Sequence, residues 1–142
     1  MIKSFKPVLL AVSIGCASAF VIFRSVEQTT IVAAPGNAVA IQLGVFKDEN
    51  TALAMQEKCG GEVFNTDGVY RLYFAILSSD DNIDFVKSYL KEQGISYYLK
   101  TLSIDGKKLK EGIEYESVMK KSSKSARLSL NKELLNMYKE VI

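Results

Sequence analysis

Apolar and polar positions recur along the chain at spacings typical of strands and of helices. Residues 38–46 and 69–77 are almost uninterrupted apolar runs of strand length, and residues 62–65 and 95–104 are shorter or more polar runs that also predict strands. Asp67-Gly68, between the second and third of these strands, is a dipeptide favoured in tight hairpin turns. The pattern therefore predicts four strands, two of them joined by a hairpin.

Two helices are predicted between these strands, because apolar residues there recur three and four positions apart. The two apolar stripes are Ala52, Met55 and Cys59 in the first helix, and Ile83, Val86 and Leu90 in the second. Asp48 is the expected N-cap of the first helix, and Gly60-Gly61 and Gly94 are expected to end the two helices. The resulting order, β-α-β-β-α-β, predicts an α+β domain over residues 38–104, with a four-stranded antiparallel sheet and both helices on one face.

Such an arrangement leaves the opposite face of the sheet free. The apolar positions of the strands and helices are expected to form one core, which contains Ile41, Leu43, Phe46, Leu72, Phe74, Val86 and Leu90. A domain of about 67 residues supports only a thin core. We therefore expect the functional site on the free face of the sheet.

The chain changes character after residue 104. Residues 105–142 contain nine basic and six acidic residues, whereas residues 38–104 contain six and nine. Two further helices are predicted over residues 111–121 and 129–141, separated by the polar stretch 122–125. The last helix carries an apolar stripe formed by Leu130, Leu134, Met137, Tyr138 and Val141. This helical C-terminal extension either packs on the domain or binds a partner, and we favour packing because an exposed stripe would promote aggregation.

The beginning of the chain is a candidate membrane anchor. Pro7 to Phe23 (residues 7–23) contains no charged residue and is 17 residues long, at the lower limit for crossing a hydrocarbon core of roughly 30 Å. Lys3 and Lys6 precede it, which favours an N-terminus in the cytoplasm. We expect residues 1–24 to be a single-pass anchor in the cytoplasmic (inner) membrane and residues 25–37 to be a linker. The remaining chain would then lie outside the cytoplasm.

Two processing signals are alternatives to an uncleaved anchor. A cleaved signal peptide would use the small residues Ala17-Ser18-Ala19, and a lipoprotein site would use Cys16. The apolar run continues beyond both sites to Phe23, which neither alternative requires. We therefore favour an anchor that stays on the mature protein.

The composition argues against catalysis. Histidine is absent, which removes the commonest general base and the commonest metal ligand. Cys16 and Cys59 fall on different sides of the predicted membrane boundary and cannot pair. Asp80, Asp81 and Asp84 cluster where a helix N-terminus favours negative charge, so capping accounts for them. We expect a binding protein rather than an enzyme, without a cofactor or a metal site.

Two segments carry a resemblance to a known family. Residues 40–50 (AIQLGVFKDEN) resemble the opening of the SPOR domain, in which a strand with a Gln-x-Gly pattern leads into a polar helix start. Residues 68–74 (GVYRLYF) are similar to the second signature of that family, an aromatic residue followed by Arg and alternating valines. The resemblance extends from Val39 to about Ile104, and it agrees with the predicted order of elements behind a membrane anchor.

The resemblance implies a function. SPOR domains bind septal peptidoglycan, chiefly glycan strands without stem peptides, through the free sheet face, and many belong to inner-membrane proteins of bacterial cell division. The implied glycan-binding residues in this chain are Gln42, Val45, Val69, Arg71 and Tyr73. The Gln42 amide and the Arg71 guanidinium offer hydrogen bonds that suit sugar hydroxyl and acetamido groups. Tyr73 shares the face of Arg71 by strand alternation and could stack on a sugar ring.

The chain departs from the family pattern at several positions. Val45 stands where the family has serine, Val69 stands near the usual place of a tryptophan, and Ala75-Ile76 replace Gly-Pro. These departures affect the ligand that the resemblance implies more than the fold that it implies.

Two other functions fit the same topology. RNA-recognition modules stack bases on such a sheet, but the net charge of −3 in residues 38–104 argues against a nucleic-acid partner. A protein-interaction scaffold in an envelope or divisome-like assembly, with the C-terminal helix making the contact, is the stronger alternative. Clustered amide, arginine and aromatic groups on the free sheet face would favour sugar, and a more apolar face would favour the scaffold.

Overall fold

The computed structural model describes residues 36–142. The predicted membrane anchor, residues 1–24, and nearly all of the predicted linker lie outside the described residues. Within residues 36–142, no helix is both long enough and apolar enough to cross a bilayer.

The described chain forms an α+β structure with four strands and four helices. The elements are β1 (Asn37–Phe46), α1 (Glu49–Cys59), β2 (Glu62–Thr66), β3 (Val69–Leu77), α2 (Asp80–Gln93), β4 (Tyr98–Ser103), α3 (Gly106–Lys120) and α4 (Lys124–Lys139). The strands form one antiparallel sheet in the order β2-β3-β1-β4. The predicted element order and the antiparallel sheet are thus confirmed, and β1 and β3 are the central strands.

The first two helices pack on the sheet face that carries Phe74. The Phe74 ring stacks on the Tyr89 ring of α2 with centroids 5.8 Å apart, and it also borders Gly60 at the end of α1. Asp48 caps α1 as predicted, because its Oδ2 accepts hydrogen bonds from Thr51 N at 3.0 Å and from Thr51 Oγ1 at 2.9 Å. All seven predicted core residues are buried, none more than 8% exposed.

The C-terminal extension packs on the sheet, as we favoured from the sequence. The ladder between β2 and β3 ends where Glu62 pairs with Tyr73, so the later part of β3 has no partner on β2. In that part, Asn131 Nδ2 of α4 donates a hydrogen bond to the Phe74 carbonyl oxygen at 2.9 Å. Leu134, Leu135 and Tyr138 are each at most 1% exposed. The stripe of the last helix therefore belongs to the core, although Val141 at its end is 45% exposed.

A buried carboxylate joins α3 to the start of α2. Glu116 is only 2% exposed, and it accepts hydrogen bonds from Ser78 N, from Ser78 Oγ at 2.6 Å and from Ser79 N at 2.8 Å. Ser79 is the N-cap residue of α2, but its own side chain makes no capping bond. Glu116 therefore satisfies amide groups at the N-terminus of α2 from a distant part of the chain, where the helix dipole also favours a negative charge.

The two C-terminal helices approach closely at Gly112. A Cβ atom at this position would collide with the Tyr138 hydroxyl, so the contact requires glycine. Burial raises the pKa of the Tyr138 phenol above its ordinary value, and the carboxylates of Glu116 and Glu111 raise it further. The phenol is therefore neutral at any physiological pH.

Three element boundaries differ from the sequence prediction by three residues or more. β4 begins at Tyr98 rather than at Ile95, because Gly94 adopts a φ of 71° and Ile95 N donates to Leu90 O at 2.9 Å, which uses Ile95 to close the end of α2. α3 begins five residues earlier than predicted, at Gly106. α4 also begins earlier, because Ser123 in the polar stretch is its N-cap and accepts from Ala126 N.

We expect Phe74→Ala to lower the free energy of unfolding by about 3–5 kcal/mol, since it removes a buried ring that touches α1 and α2. Chemical denaturation monitored by circular dichroism would measure this change. Leu53→Ala, at a position that is 44% exposed on α1, is the matched control and should change little. An equal effect of the two substitutions would show that Phe74 is not part of the core.

We also expect Glu116→Ala to destabilise the protein by about 2–4 kcal/mol, because Ser78 and Ser79 lose the acceptor of their buried donors. Glu114→Ala removes an exposed carboxylate from the same helix and serves as the control. Hydrogen exchange at the first turn of α2 should accelerate in Glu116→Ala only. Unchanged exchange there would contradict the capping role of Glu116.

Candidate functional site

The pairing of β1 with β3 brings the predicted site residues together. Gln42 and Val45 are three positions apart, so strict strand alternation would place them on opposite faces. In the structure Gln42 pairs with Tyr73 and Val45 pairs with Arg71, and the register shifts on both sides of Gln42. Residues paired across strands share a face, and Tyr73 and Arg71 are two positions apart on β3. The irregularity therefore places Gln42 and Val45 on one face.

Strand β2 adds two residues that the sequence prediction missed. Phe64 pairs with Arg71, and its ring meets the Tyr73 ring edge-on with centroids 4.9 Å apart. Thr66 pairs with Val69, and its Oγ1 accepts a hydrogen bond from Arg71 Nε at 3.1 Å. We define the β-face site by its seven residues, which are Gln42, Val45, Phe64, Thr66, Val69, Arg71 and Tyr73. The hairpin at Asp67-Gly68 was the sequence signal that could have placed β2 beside these residues.

The expectation of a free sheet face is wrong for part of this site. Gln42 and Tyr73 are each 1% exposed, whereas Val45, Val69 and Arg71 are half-buried. Contact with Phe64 accounts in part for the burial of the Tyr73 ring. The outer part of the β-face site is therefore formed by Val45, Val69 and Arg71, and Gln42 and Tyr73 lie beneath the surface.

Gln42 has an unsatisfied polar atom. Its Oε1 is buried and has no hydrogen-bond partner in the structure. A buried amide without a partner costs about 1–3 kcal/mol relative to its solvation in water. The unpaired oxygen of Gln42 therefore carries a cost to stability.

Arg71 dominates the local electrostatics. Burial raises the pKa of the Tyr73 phenol above its ordinary value, and the nearby Arg71 guanidinium partly opposes this shift. Burial lowers the pKa of Lys100, and Arg71 lowers it further, while Asp67 acts in the opposite direction. One guanidinium thus influences both a phenol and a second cation, which makes this end of the sheet locally positive although residues 38–104 are net negative.

The β-face site offers binding groups of several kinds. It contains a carbonyl acceptor on Gln42, guanidinium donors on Arg71, and hydroxyl groups on Thr66 and Tyr73. These groups hydrogen-bond to neutral polar ligands, and the adjoining rings can contact apolar surface. Within residues 36–142, no group of three or more acidic or cysteine side chains is arranged to hold a metal ion.

A second concavity lies on the helical side of the sheet. It is a cleft of about 410 Å³ between α1, α2 and α4, lined by apolar residues such as Leu53, Phe74 and Leu135 and by polar residues such as Gln56 and Lys132. The cleft contains no residue of the β-face site, so it is a separate feature.

Comparisons with known proteins add no assignment. No protein-family model matches the chain, and neither the curated proteins nor the solved structures include a significant match.

We expect Gln42→Leu to leave the thermal midpoint unchanged or to raise it, because leucine has nearly the same volume and removes the unpaired amide oxygen. Differential scanning calorimetry would measure the midpoint. Ile41→Ala, at the neighbouring buried position, is the control for ordinary core damage and should lower the midpoint clearly. A loss of stability in Gln42→Leu comparable with that of Ile41→Ala would show that the amide has an undetected structural partner.

Proposed function

We propose that this chain is a membrane-anchored protein of the bacterial envelope that binds glycan strands of peptidoglycan through the β-face site. In this proposal residues 7–23 stay in the cytoplasmic membrane, the remaining chain lies outside the cytoplasm, and the protein acts in cell division or septation. The observation that carries the proposal is the register irregularity at Gln42, which supports a shared face for Gln42, Val45 and Arg71. These are positions at which the SPOR resemblance expects the ligand.

The chemistry of the site suits a sugar chain. Glycan strands carry acetamido N–H groups, which need an acceptor such as the unpaired Gln42 Oε1. Arg71 Nε is held by Thr66 Oγ1, which fixes the guanidinium while its remaining N–H groups can donate to sugar oxygens. Hydrogen bonds of this kind contribute about 0.5–1.5 kcal/mol each, and those of Arg71 somewhat more. The affinity of a single site is therefore expected to be low.

Burial sets the order in which a ligand would engage the site. The half-buried Arg71 is the first polar group that a sugar would meet, and Gln42 becomes accessible only when the groups above it move. A membrane anchor would compensate for the resulting weak affinity, because it confines the domain close to the polymer and raises its effective concentration.

A sedimentation assay tests the proposal directly. Detergent-solubilised full-length protein is mixed with sacculi whose stem peptides an amidase has removed, and the bound fraction is measured. We expect Arg71→Ala to weaken binding on the order of tenfold or more, and Arg71→Lys to restore only part of it, since lysine keeps the charge but loses the planar donor fork. Lys91→Ala removes an exposed cation from α2 and serves as the control, with binding unchanged.

Two results would contradict glycan binding. The first is unchanged sedimentation of a folded Arg71→Ala protein. The second is the absence of any sedimentation by the wild-type protein at a salt concentration that preserves its fold.

A protein-interaction scaffold is the second candidate, and a specific observation favours it. The outer part of the β-face site contains the apolar side chains of Val45 and Val69 beside Arg71, and both are only half-buried. Apolar surface of this kind is typical of packing against protein rather than of recognition of sugar. If sedimentation fails while cross-linking in cells captures an envelope protein through Arg71→Cys, the scaffold becomes the better assignment.

A further inference from the structure

Few large apolar side chains are exposed in the described part of the chain. Five are more than a third exposed: Leu53, Ile113, Val118, Val141 and Ile142. Leu53 borders the cleft of the helical side, and the last two are the C-terminal residues. Ile113 and Val118, which are 48% and 55% exposed, instead lie in the interior of α3. Single exposed apolar side chains are normal on a protein surface, so Ile113 and Val118 are informative only together with the charged residues around them.

The exposed positions of α3 form one stripe with helical spacing. We define the outer stripe of α3 by six of its exposed residues, which are Lys107, Lys110, Ile113, Glu114, Ser117 and Val118; Gly106 and the salt-bridged Lys120 are exposed as well. The opposite side of the helix is buried through Leu109, Gly112, Glu116 and Met119. The two lysines therefore lie in the N-terminal half of the stripe, and Ile113 and Val118 lie further along it at opposite margins.

The charge of this surface is positive. Lys107 and Lys110 of the stripe, and the exposed Lys121 directly after the helix, form no salt bridge within residues 36–142. Glu114 is the one acidic residue of the stripe, and the exposed Asp105 directly precedes the helix, so the unpaired lysines exceed these acidic residues by one. Two other lysines of α3 are paired, Lys108 with Glu111 at 3.4 Å and Lys120 with Asp81 at 3.7 Å. Lysines with exposed aliphatic neighbours on a helix are typical of a surface that meets anionic lipid headgroups.

The position of α3 in the fold strengthens this interpretation. The carbonyl oxygen of Gly36, the first described residue, accepts a hydrogen bond from Ile104 N at 3.0 Å. Asn37 pairs with Ser103 in the sheet, and α3 begins at Gly106. The chain therefore enters the fold beside the first turn of α3. Only about a dozen residues separate Gly36 from the end of the predicted anchor, a span of at most about 45 Å when fully extended.

We infer that the outer stripe of α3 docks on the anionic lipid surface of the membrane in which the protein is anchored. The inference rests on the proposed membrane anchor, but it does not depend on the ligand of the β-face site. Lys107, Lys110 and Lys121 contact headgroup phosphates, and Ile113 and Val118 reach the boundary of the acyl chains. Each lysine strengthens the association roughly fivefold, which suffices because the tether already keeps the helix close to the bilayer.

Tryptophan fluorescence gives a direct test, since the chain contains no tryptophan. Val118→Trp introduces a single fluorophore into the outer stripe, and Leu53→Trp places one at an exposed position of α1 as the matched control. The full-length variants are reconstituted into vesicles of phosphatidylglycerol and phosphatidylcholine whose acyl chains are brominated. We expect the Val118→Trp emission to shift to shorter wavelength and to be quenched by roughly half or more, and the Leu53→Trp emission to stay unquenched.

Charge dependence separates lipid docking from other causes of quenching. The Val118→Trp quenching should fall strongly in vesicles of phosphatidylcholine alone, at about 0.5 M salt, and after Lys107→Glu with Lys110→Glu. Equal quenching in neutral vesicles would overturn the inference, because the contact would not recognise anionic lipid. Ile113→Trp provides a second reporter if Val118→Trp does not fold, as judged by circular dichroism.

Flotation of the vesicles distinguishes failure of this inference from failure of the anchor. If the protein floats with the vesicles but the Val118→Trp fluorophore stays exposed to water, the anchor stands and the inference is overturned, and the outer stripe is then available to a protein partner. If the protein does not float with the vesicles, the membrane anchor itself fails and the inference fails with it.

Discussion

The antiparallel pairing of β1 with β3 is the interaction on which the other described elements depend. These strands are the centre of the sheet, so each has a neighbour on both sides and their backbone groups are satisfied by ladders. Both helices of the β-α-β-β-α-β unit begin directly after one of these two strands. The side chains of β1 are buried along almost the whole strand, and those of β3 are buried from Leu72 to Leu77. The β-face site also depends on this pair, because the register shift at Gln42 determines which side chains share its face.

The C-terminal extension completes hydrogen bonding that the sheet leaves open. β3 extends beyond the end of its ladder with β2, and α4 supplies a donor to the Phe74 carbonyl oxygen there. Where β3 turns into α2, Glu116 of α3 accepts from the partly buried amide groups of Ser78 and Ser79. Unpaired backbone groups in a protein interior are costly, so these contacts make the extension part of the folded unit rather than a mobile arm. The exposed stripe of α3 is consequently held on a rigid element.

Sequence patterns predicted the elements of the sheet well but not its exposure. Apolar runs, the Asp67-Gly68 turn and the glycines after the helices were strong local signals, and the order of elements followed from them. The same runs also indicated that few of the strand side chains would be exposed to solvent, because an uninterrupted apolar segment such as residues 38–46 is typical of a strand that is buried on both faces. Ends of helices were predicted less well where a serine cap replaced the expected turn, as at Ser123.

The register irregularity could not be predicted from spacing alone. Gly44, an isolated glycine within the first strand, was the one local indication of a disturbed ladder, since glycine in a strand often marks a bulge. Phe64 and Thr66 belong to the site only because β2 pairs with β3. The cap provided by Glu116 joins it to Ser78 and Ser79, which are 38 and 37 positions away in the chain. Contacts between such distant residues are set by tertiary packing, which local pattern does not contain.

The buried side chains with an unpaired polar atom differ in the contacts that their other atoms make. Among residues 36–142, four buried side-chain atoms lack a hydrogen-bond partner: Gln42 Oε1, Arg127 Nε, Asn131 Oδ1 and Tyr138 OH. Arg127 offsets this cost because its Nη2 donates a hydrogen bond to Asn82 Oδ1. Asn131 offsets it because its Nδ2 donates a hydrogen bond to the Phe74 carbonyl oxygen. Tyr138 offsets it by filling the space against Gly112. The Gln42 side chain makes no such hydrogen bond with the described residues, so packing and polar contacts do not explain why an amide stands there. A ligand that donates a hydrogen bond to Gln42 Oε1, as proposed for the β-face site, would account for it.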